Sequence, residues 1–202
     1  MRGYKEYSYG SLYDKSFEEI WNSEKLRKMR VSMLNDKSTK ECTRCYSMEN
    51  SGLNTTRTWA NETFENHFDK IATTQEDGTV EKINLPYIDF RFSNLCNFKC
   101  RTCGPDLSSS WYEDNVKMYG PLPHKKIIRP YKDEETFWQK VEPYMDTLEE
   151  IYFAGGEPLI MEEHYRILKK LDERKMYHVR LKYNTNFSQM VFKGLDVMEM
   201  WS

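Results

Sequence analysis

The chain has 202 residues, of which 39% are hydrophobic and 31% are charged, and its formal net charge at pH 7 is −2. The length fits one domain with at most a small extension, and the absence of a basic excess leads us to expect no nucleic-acid partner. No run of about 18 apolar residues is present, and the N-terminus lacks the apolar core of a signal peptide, so we expect a cytoplasmic protein with no membrane partner.

Residues 1–52 are predicted to form a small, mostly helical segment. Residues 1–15 are polar and are expected to be irregular or to form a short hairpin. Ser16 and Glu19 have the spacing of a capping box, which predicts a short helix from this point. Ser23 is expected to cap a second helix whose apolar residues recur at helical spacing.

Residues 53–85 are predicted to connect this segment to the rest of the chain. Their hydrophobic pattern is weak, and turns are expected at residues 55–58, 73–74 and 77–78. One helix is expected near residues 62–71.

Residues 86–202 alternate between strand and helix patterns. The expected elements, in chain order, are a strand at 87–92, helices at 106–119 and 133–142, a strand at 150–154, a helix at 160–175, a strand at 179–183 and a helix that starts near 190. This order predicts an α/β fold with a parallel sheet. In such sheets the chemistry lies at the carboxyl ends of the strands, and three motifs each follow directly after a strand.

The first motif is a group of three cysteines after the first of these strands. Cys96, Cys100 and Cys103 have the spacing C-x3-C-x2-C, and three thiolates on a short loop could bind three irons of a [4Fe-4S] cluster and leave the fourth iron open. Clustered cysteines in a reducing compartment indicate metal chemistry rather than disulfides. A structural zinc site is the alternative, with Cys42 and Cys45 as a second pair of ligands.

The second and third motifs follow the next two strands. The residues after the second strand are Gly155, Gly156, Glu157 and Pro158. The two glycines would let the backbone approach a ligand closely, and the carboxylate suits an ammonium group. Residues 184–187 follow the third strand, and they are expected either to line a cofactor pocket or to form an ordinary helix-capping turn.

These motifs resemble the radical S-adenosylmethionine (radical SAM) superfamily. The resemblance rests on the C-x3-C-x2-C loop and the Gly-Gly-Glu-Pro segment, and it covers residues 86–187. Residues 184–187 are similar to the Thr-Asn-Gly element of the family, with Phe187 in place of the glycine. The family fold is a partial (βα)6 barrel, of which about three βα units are expected here. Residues 86–202 are therefore expected to be an incomplete radical SAM core, and the chain a fragment.

The resemblance implies two cofactors and a reaction. A [4Fe-4S] cluster on Cys96, Cys100 and Cys103 would bind S-adenosylmethionine and cleave it reductively, giving a 5′-deoxyadenosyl radical that removes hydrogen from an unknown peptide or small molecule. The cofactor-binding residues implied are Gly155, Gly156, Glu157, Pro158 and Asn186, together with Phe98 and Thr102 of the cysteine loop. An electron donor such as flavodoxin or ferredoxin would supply the electron. No side chain beyond the cluster ligands is assigned a catalytic role.

Residues 1–52 resemble the twitch or SPASM extension, which binds auxiliary iron–sulfur clusters in some radical SAM enzymes. The resemblance rests on residues 16–23 and on Cys42 and Cys45. It implies an auxiliary cluster at these two cysteines, although residues 1–41 contain no further cysteine. A zinc site completed elsewhere and two inert thiols are the alternatives.

For the chain as a whole, the alternative to the enzyme is a non-catalytic iron–sulfur or zinc scaffold or electron carrier, since a truncated core could be inactive alone.

Overall fold

The structure is a computed structural model that describes residues 8–202. The chain divides into two compact units: residues 1–84 with 135–143 form the first, and residues 85–134 with 144–202 form the second. The expectation for residues 1–15 falls in part on residues 1–7, which lie outside the described residues.

The described elements before residue 87 are all helices, and the strands lie among helices in the rest of the chain. In chain order they are α1 (Phe17–Trp21), α2 (Glu24–Leu34), α3 (Thr43–Asn50), α4 (Thr56–Thr63), β1 (Tyr87–Phe90), α5 (Tyr112–Tyr119), α6 (Glu134–Val141), β2 (Glu150–Phe153), α7 (Glu162–Glu173), β3 (Arg180–Tyr183), β4 (Val191–Phe192), β5 (Leu195–Asp196) and α8 (Val197–Trp201). Short 3-10 segments lie at Lys40–Cys42, Glu65–Thr73, Ser109–Trp111, Glu142–Thr147 and Pro158–Ile160. None of the helices in residues 8–202 combines the length and the apolar character that crossing a membrane requires.

The second unit is built on a parallel three-stranded sheet with the strand order β1-β2-β3. The register places Ile88 beside Ile151, and Ile151 beside Leu181. The expected α/β class with a parallel sheet is thus confirmed, whereas three strands alone do not establish a barrel. A separate antiparallel pair, β4 with β5, follows β3.

One face of the parallel sheet is apolar and packs against α7. Phe90, Phe153 and Tyr183 form one row across the three strands, and successive ring centroids lie 6.2 Å and 5.1 Å apart. The ring of His164 in α7 meets that of Phe153 edge-on at 4.9 Å. The buried cluster beside α7 consists of Leu159, Tyr165, Leu168 and Val197. This packing fixes the strands whose carboxyl ends carry the motifs.

The first unit is organised by polar contacts around α1 and α2. Ser16 and Glu19 form the predicted capping box at the start of α1. The guanidinium of Arg30 in α2 donates to the carbonyl oxygens of Trp21 and Gly78. These bonds tie the end of α1 and the turn at residues 77–78, which was expected from the sequence, to α2.

Two helix boundaries in the first unit differ from those expected. Residues 55–58 were expected to be a turn, but the Thr55 hydroxyl accepts from the backbone N–H of Thr58 and begins α4. The helix expected near residues 62–71 is present as a 3-10 helix at Glu65–Thr73, which starts a few residues later than expected because α4 ends at Thr63. Ser23 precedes α2 as expected, but its side chain makes no capping hydrogen bond.

The expected helix near residue 190 is wrong, because a hairpin occupies this place. Lys193 and Gly194 both have positive φ, +50° and +81°, which is the backbone of a two-residue hairpin turn. Phe192 and Leu195 pair across it. The helix α8 begins only after the hairpin, where the Asp196 carboxylate accepts from the N–H of Met198 at 2.8 Å.

Two boundaries near the motifs also differ. β1 ends at Phe90, earlier than the expected end at residue 92, because the carbonyl oxygens beyond it bond to the segment after β2 instead of extending the strand ladder. The helix expected at 106–119 becomes α-helical only at Tyr112, after a 3-10 turn. It ends, as expected, at Gly120, whose φ is +85°.

Candidate functional site

The carboxyl ends of β1, β2 and β3 border one cavity of about 360 Å³, called here the cleft. Because parallel strands end on the same edge of their sheet, all three sequence motifs reach it. The predicted site residues that line the cleft are Cys96, Phe98, Cys100, Cys103, Gly155, Gly156, Glu157 and Asn186. Its volume lies in the range of small-molecule sites.

Side chains around the start of α5 hold the backbone of residues 96–103, the cysteine loop. The hydroxyl of Ser110 donates to the carbonyl oxygen of Cys96 at 2.8 Å, and that of Ser108 donates to a carbonyl further along the loop at 2.6 Å. The indole N–H of Trp111 donates to the carbonyl oxygen of Cys100 at 3.0 Å. Three loop carbonyls are therefore fixed by side chains of one neighbouring segment.

A buried asparagine joins the segments that flank the cysteine loop. The side-chain amide of Asn94 donates to the carbonyl oxygens of Pro105 and Lys126 at 2.8 Å and 2.9 Å. Its carbonyl oxygen accepts from the backbone N–H of Ile128 at 2.8 Å. Since Asn94 precedes the loop and Pro105 follows it, this side chain closes the base of the loop.

One ion pair lies at the cysteine loop and another lies at the cleft. Lys99 of the loop lies 2.5 Å from the carboxylate of Asp114 in α5, and this hydrogen bond lowers the pKa of Asp114. Arg91, which lines the cleft, forms a pair with Asp89 at 2.9 Å. The hydrogen bonds to Asp89 raise the pKa of Arg91, so this cation keeps its charge at any physiological pH.

The two glycines after β2 pack against the backbone that leads into the cysteine loop. A β-carbon on Gly156 would lie 2.0 Å from the carbonyl oxygen of Leu95, and one on Gly155 would lie 2.9 Å from that of Ser93. The backbone N–H of Gly156 donates to the carbonyl oxygen of Ser93 at 2.9 Å, and that of Glu157 donates to the carbonyl oxygen of Leu95 at 2.8 Å. A contact between two segments of this chain therefore requires the glycines, whereas the sequence suggested that they admit a ligand.

The carboxylate of Glu157 is buried and accepts from three donors of the protein. Its residue is 1% exposed. One oxygen accepts from the backbone N–H of Leu159 at 3.0 Å and from the hydroxyl of Thr185 at 2.6 Å. The other accepts from the backbone N–H of Asn186 at 2.7 Å. Glu157 thus ties the segment after β2 to the turn after β3, a role that its sequence context did not suggest.

Asn186 lies between the turn after β3 and the cysteine loop. Its side-chain N–H donates to the side-chain oxygen Oδ1 of Asn97 at 2.8 Å, and Nδ2 lies 4.0 Å from the sulfur of Cys96. Asn97 in turn donates to the hydroxyl of Ser188 at 2.9 Å. The alternative of a helix-capping turn is wrong, since β4 and β5 follow this turn instead of a helix.

The next residue, Phe187, has a positive φ of +53°. This left-handed conformation is costly for residues with a β-carbon and is readily adopted by glycine. The Phe187 ring lies parallel to that of Trp201, with an interplanar angle of 12° and a centroid distance of 6.2 Å. Phe187 therefore adopts a conformation that glycine, the residue at this place in the element it resembles, would take more readily.

The remaining predicted site residues differ in their relation to the cleft. Phe98 lines it and is 44% exposed. Thr102 is exposed on the cysteine loop, and the residues lining the cleft do not include it. Pro158 is buried at the start of its 3-10 segment. Of these three, only Phe98 reaches the cleft.

Cys42 and Cys45 lie in the first unit, where Cys42 precedes α3 and Cys45 belongs to its first turn. Both are free thiols and partly buried. Residues three apart on a helix lie on the same side of it, so the two sulfurs can serve one site. The first unit contains no cysteine besides these two.

The donors in the cleft fit an iron–sulfur cluster. Its three cysteines are free, with Cys100 exposed and the other two partly buried. Thiolates select iron–sulfur clusters and zinc, and in a cubane each thiolate binds a separate iron. Within residues 8–202, no three His, Cys, Asp or Glu side chains converge as ligands of a single metal ion. The three thiols all border the cleft and are the type of ligand that a cluster with one thiolate on each of three irons takes.

Sequence analysis missed the residues that hold the loop, namely Asn94, Ser108, Ser110 and Trp111. All four lie within a few residues of the cysteine motif. Polar residues concentrated on both sides of the short cysteine motif were the available signal, because backbone carbonyls that are shielded from water need donors from the protein.

Residues 2–46 match the family model of the SPASM iron–sulfur cluster-binding domain, a domain of radical SAM proteins. This confirms the SPASM resemblance predicted for the N-terminal segment. No curated protein and no solved structure matches the chain. The matched residues include Cys42 and Cys45, so the match indicates iron–sulfur binding for this part of the chain.

Proposed function

We propose that the chain is the cluster-binding part of a radical SAM enzyme. The three cysteines of the cysteine loop hold a [4Fe-4S] cluster in the cleft, and S-adenosylmethionine binds beside it, against residues 155–157 and Asn186. The observation that supports this most is the convergence of the three motifs on one cavity of about 360 Å³. The SPASM match adds support, because that domain belongs to radical SAM proteins.

Bound together, the cluster and S-adenosylmethionine supply reductive cleavage of the C5′–S bond and a 5′-deoxyadenosyl radical that takes hydrogen from a substrate. The chain itself positions these groups. Ser108, Ser110 and Trp111 fix the loop carbonyls, so the thiols stay on the cleft wall. The side-chain N–H of Asn186 lies 4.0 Å from the sulfur of Cys96 and would help to orient this ligand.

The proposal also assigns partners. The electron comes from a small carrier protein of the flavodoxin or ferredoxin type, and the substrate is a peptide or a small molecule. Cys42 and Cys45 belong to an auxiliary cluster, which the SPASM match of their segment supports. Since these two thiols are fewer than the four ligands that such clusters usually have, further ligands must complete that site.

The test is anaerobic reconstitution of the purified chain with iron and sulfide, followed by EPR of the reduced protein with and without S-adenosylmethionine. We expect a [4Fe-4S] signal that shifts when S-adenosylmethionine is added, because the open iron changes its ligands. Cys100→Ala is expected to lose this shifting signal, since one of the three thiolates is absent.

The double variant Cys42→Ser with Cys45→Ser is the matched control, because it removes thiols of the other unit. It should keep the signal that responds to S-adenosylmethionine. A cluster that ignores S-adenosylmethionine in the native chain, or zinc bound in place of iron, would contradict the proposal and favour a scaffold or an electron carrier.

A further inference from the structure

Arg91 is a charged side chain on the wall of the cleft that the proposed cofactors do not use. It lines the cleft together with the three cysteines. Its Cα and Cβ atoms lie 3.4 Å from the position that a β-carbon on Gly155 would take, which places it directly beside the glycines. Its side chain is 55% exposed. A cation therefore stands accessible within the candidate site.

Asp89 occupies only one edge of the Arg91 guanidinium. The Nε–H lies 3.0 Å and 3.3 Å from the two carboxylate oxygens, and Nη2 lies 2.9 Å from one of them. A guanidinium carries five N–H donors, so the outer edge formed by Nη1 and Nη2 keeps its remaining donors. Among residues 8–202, no acceptor is found for them. Asp89 thus holds the guanidinium of Arg91 in place and leaves its outer edge, formed by Nη1 and Nη2, open.

The sheet face opposite to the one that packs against α7 is polar. Alternate residues of a strand share one face, and parallel sheets are usually apolar on both faces. The residues on this face are Tyr87, Asp89, Glu150, Tyr152, Arg180 and Lys182. This polar face meets the cleft at the carboxyl ends of the strands, so it is suited to a polar ligand.

The acidic groups of this face already have cationic partners. The buried carboxylate of Glu150 lies 2.9 Å from Lys182 and 3.4 Å from Arg180, and Asp89 is held by Arg91. Both of these carboxylates are thus paired with cations, which weakens their repulsion of an incoming anion. A carboxylate is planar and singly charged, and it matches the open edge of an arginine with two parallel hydrogen bonds.

We propose that Arg91 binds a carboxylate group of the substrate in the cleft, with Asp89 as the residue that positions the guanidinium. That the carboxylate belongs to the substrate rests on the proposed function. The carboxylate site itself can be measured on the chain without any cluster. Because Asp89 fixes the guanidinium before the ligand binds, the Arg91 side chain loses little conformational freedom on binding.

The first measurement is NMR titration of the arginine side-chain N–H resonances with two probes. One probe is glutarate, and the other is the peptide acetyl-Gly-Glu-Gly-amide. We expect one or both to shift the Arg91 resonance, and the probe that binds identifies the source of the carboxylate. Arg91→Gln should weaken binding about 10-fold or more, because a charge-assisted hydrogen-bond pair is lost. Arg91→Lys keeps the charge without the guanidinium and should lose part of the affinity.

Arg180→Gln is the matched control, because Arg180 lies on the same sheet face with a similar exposure of 58% but at the other end of its strand. It should change the affinity by less than about twofold, as expected for a distant exposed charge. Circular dichroism checks that each variant is folded. An equal loss in both arginine variants, no binding of either probe, or equal binding of acetyl-Gly-Gln-Gly-amide would overturn the proposal.

A second measurement separates this site from the cofactor site. Equilibrium dialysis of S-adenosylmethionine against the reconstituted chain should give similar binding for the native protein and Arg91→Gln. Loss of that binding in Arg91→Gln would assign Arg91 to the cofactor and overturn the proposal. If the native chain binds no S-adenosylmethionine while the carboxylate still shifts Arg91, the proposed function fails and the carboxylate site stands.

Discussion

Phe187 adopts a backbone conformation that suits glycine, with φ at +53°. The left-handed region costs a residue with a β-carbon roughly 1–2 kcal/mol. The ring of Phe187 is 51% exposed and contacts Trp201, so the side chain recovers part of this cost by stacking. The conformation is held by the turn around it, in which the Thr185 hydroxyl accepts from the N–H of Phe187 at 2.9 Å.

This conformation predicts that glycine is more stable than alanine at residue 187, which is the reverse of their order within a helix. Phe187→Ala and Phe187→Gly both remove the ring, but only alanine keeps the β-carbon that is strained at positive φ. We expect Phe187→Gly to be more stable than Phe187→Ala by about 1 kcal/mol. The free energy of unfolding in urea, followed by tryptophan fluorescence, measures the difference.

Met118 provides the comparison site, because it is 59% exposed and lies within α5. There the usual order applies, and alanine should be the more stable substitution by about 1 kcal/mol. Alanine as the more stable substitution at both positions would show that residue 187 is not strained in solution.

At the scale of elements, the cleft depends on contacts between turns that are far apart in sequence. The segment after β2 contacts the residues before the cysteine loop through Gly155 and Gly156. The turn after β3 contacts the segment after β2 through the carboxylate of Glu157, and it contacts the cysteine loop through the side chain of Asn186. Each strand end is therefore held by its neighbours as well as by its own strand.

Glu157 is the side chain that joins two of these turns, and its removal should loosen both. Glu157→Ala leaves three donors without their acceptor in a buried place, and each loss of this kind costs about 1–3 kcal/mol. Since some donors will find water, we expect unfolding to become easier by about 2–4 kcal/mol. Urea unfolding measures this loss, and hydrogen exchange should show faster exchange of the Asn186 amide.

Glu157→Gln is the conservative variant and should lose less, because it keeps one oxygen acceptor. Glu162→Gln is the surface control, since Glu162 is exposed and its ion pair in the described part of the chain is with Lys193. There we expect a change of less than about 1 kcal/mol. If Glu157→Ala were no more costly than this control, the carboxylate would not join the turns.

The sequence predicted the elements that depend on local patterns. The three strands, the capping box at Ser16 and the stop at Gly120 follow from alternation, hydrogen-bonding side chains and backbone freedom within a few residues. The hairpin at residues 193–194 was missed, because a lysine at positive φ gives no signal in a single sequence. The role of Gly156 was also missed, since the contact that requires it involves Leu95, which is distant along the chain.

For the candidate site, the sequence predicted which residues would meet but not how they are held. Cys96, Gly156 and Asn186 reach one cleft because each follows a parallel strand. The partners of Glu157 could not be predicted, because they depend on the register of β2 and β3. Arg91 was not singled out, since an arginine near the end of a strand is ordinary until its neighbours are known.

At the scale of the whole molecule, the cysteines are divided between two units. Cys42 and Cys45 belong to the unit that contains the SPASM match, and the other three line the cleft of the second unit. Each unit has its own internal contacts, so we expect a cysteine substitution in one unit to leave the thiols of the other in place. The second unit also contains a buried titratable group that couples its folding to pH.

His164 is fully buried in α7, and its Nδ1 has no hydrogen-bond partner in residues 8–202. Its Nε2 lies 2.9 Å from the hydroxyl of Tyr183. Burial lowers the pKa of His164 from 6.5 to about 3, so the folded protein keeps this ring neutral where the unfolded chain would bind a proton. The stability that depends on the neutral ring is therefore complete above pH 6.5 and is lost as the pH falls below that value.

We expect the free energy of unfolding to fall on acidification, and this site should contribute about 1.4 kcal/mol per pH unit below about pH 6. His164→Gln cannot take up the proton and retains a hydrogen-bonding side chain for Tyr183, so its unfolding should lack this part of the pH dependence. His178→Gln is the matched control, because His178 is exposed in the same unit and should leave the dependence unchanged. Urea unfolding of the three proteins between about pH 7.5 and about pH 5 measures the slopes. The contrary result is the same slope of unfolding free energy against pH for the native protein and His164→Gln. That result would mean that water reaches the His164 ring, so that α7 packs less tightly on the sheet than the burial of His164 requires.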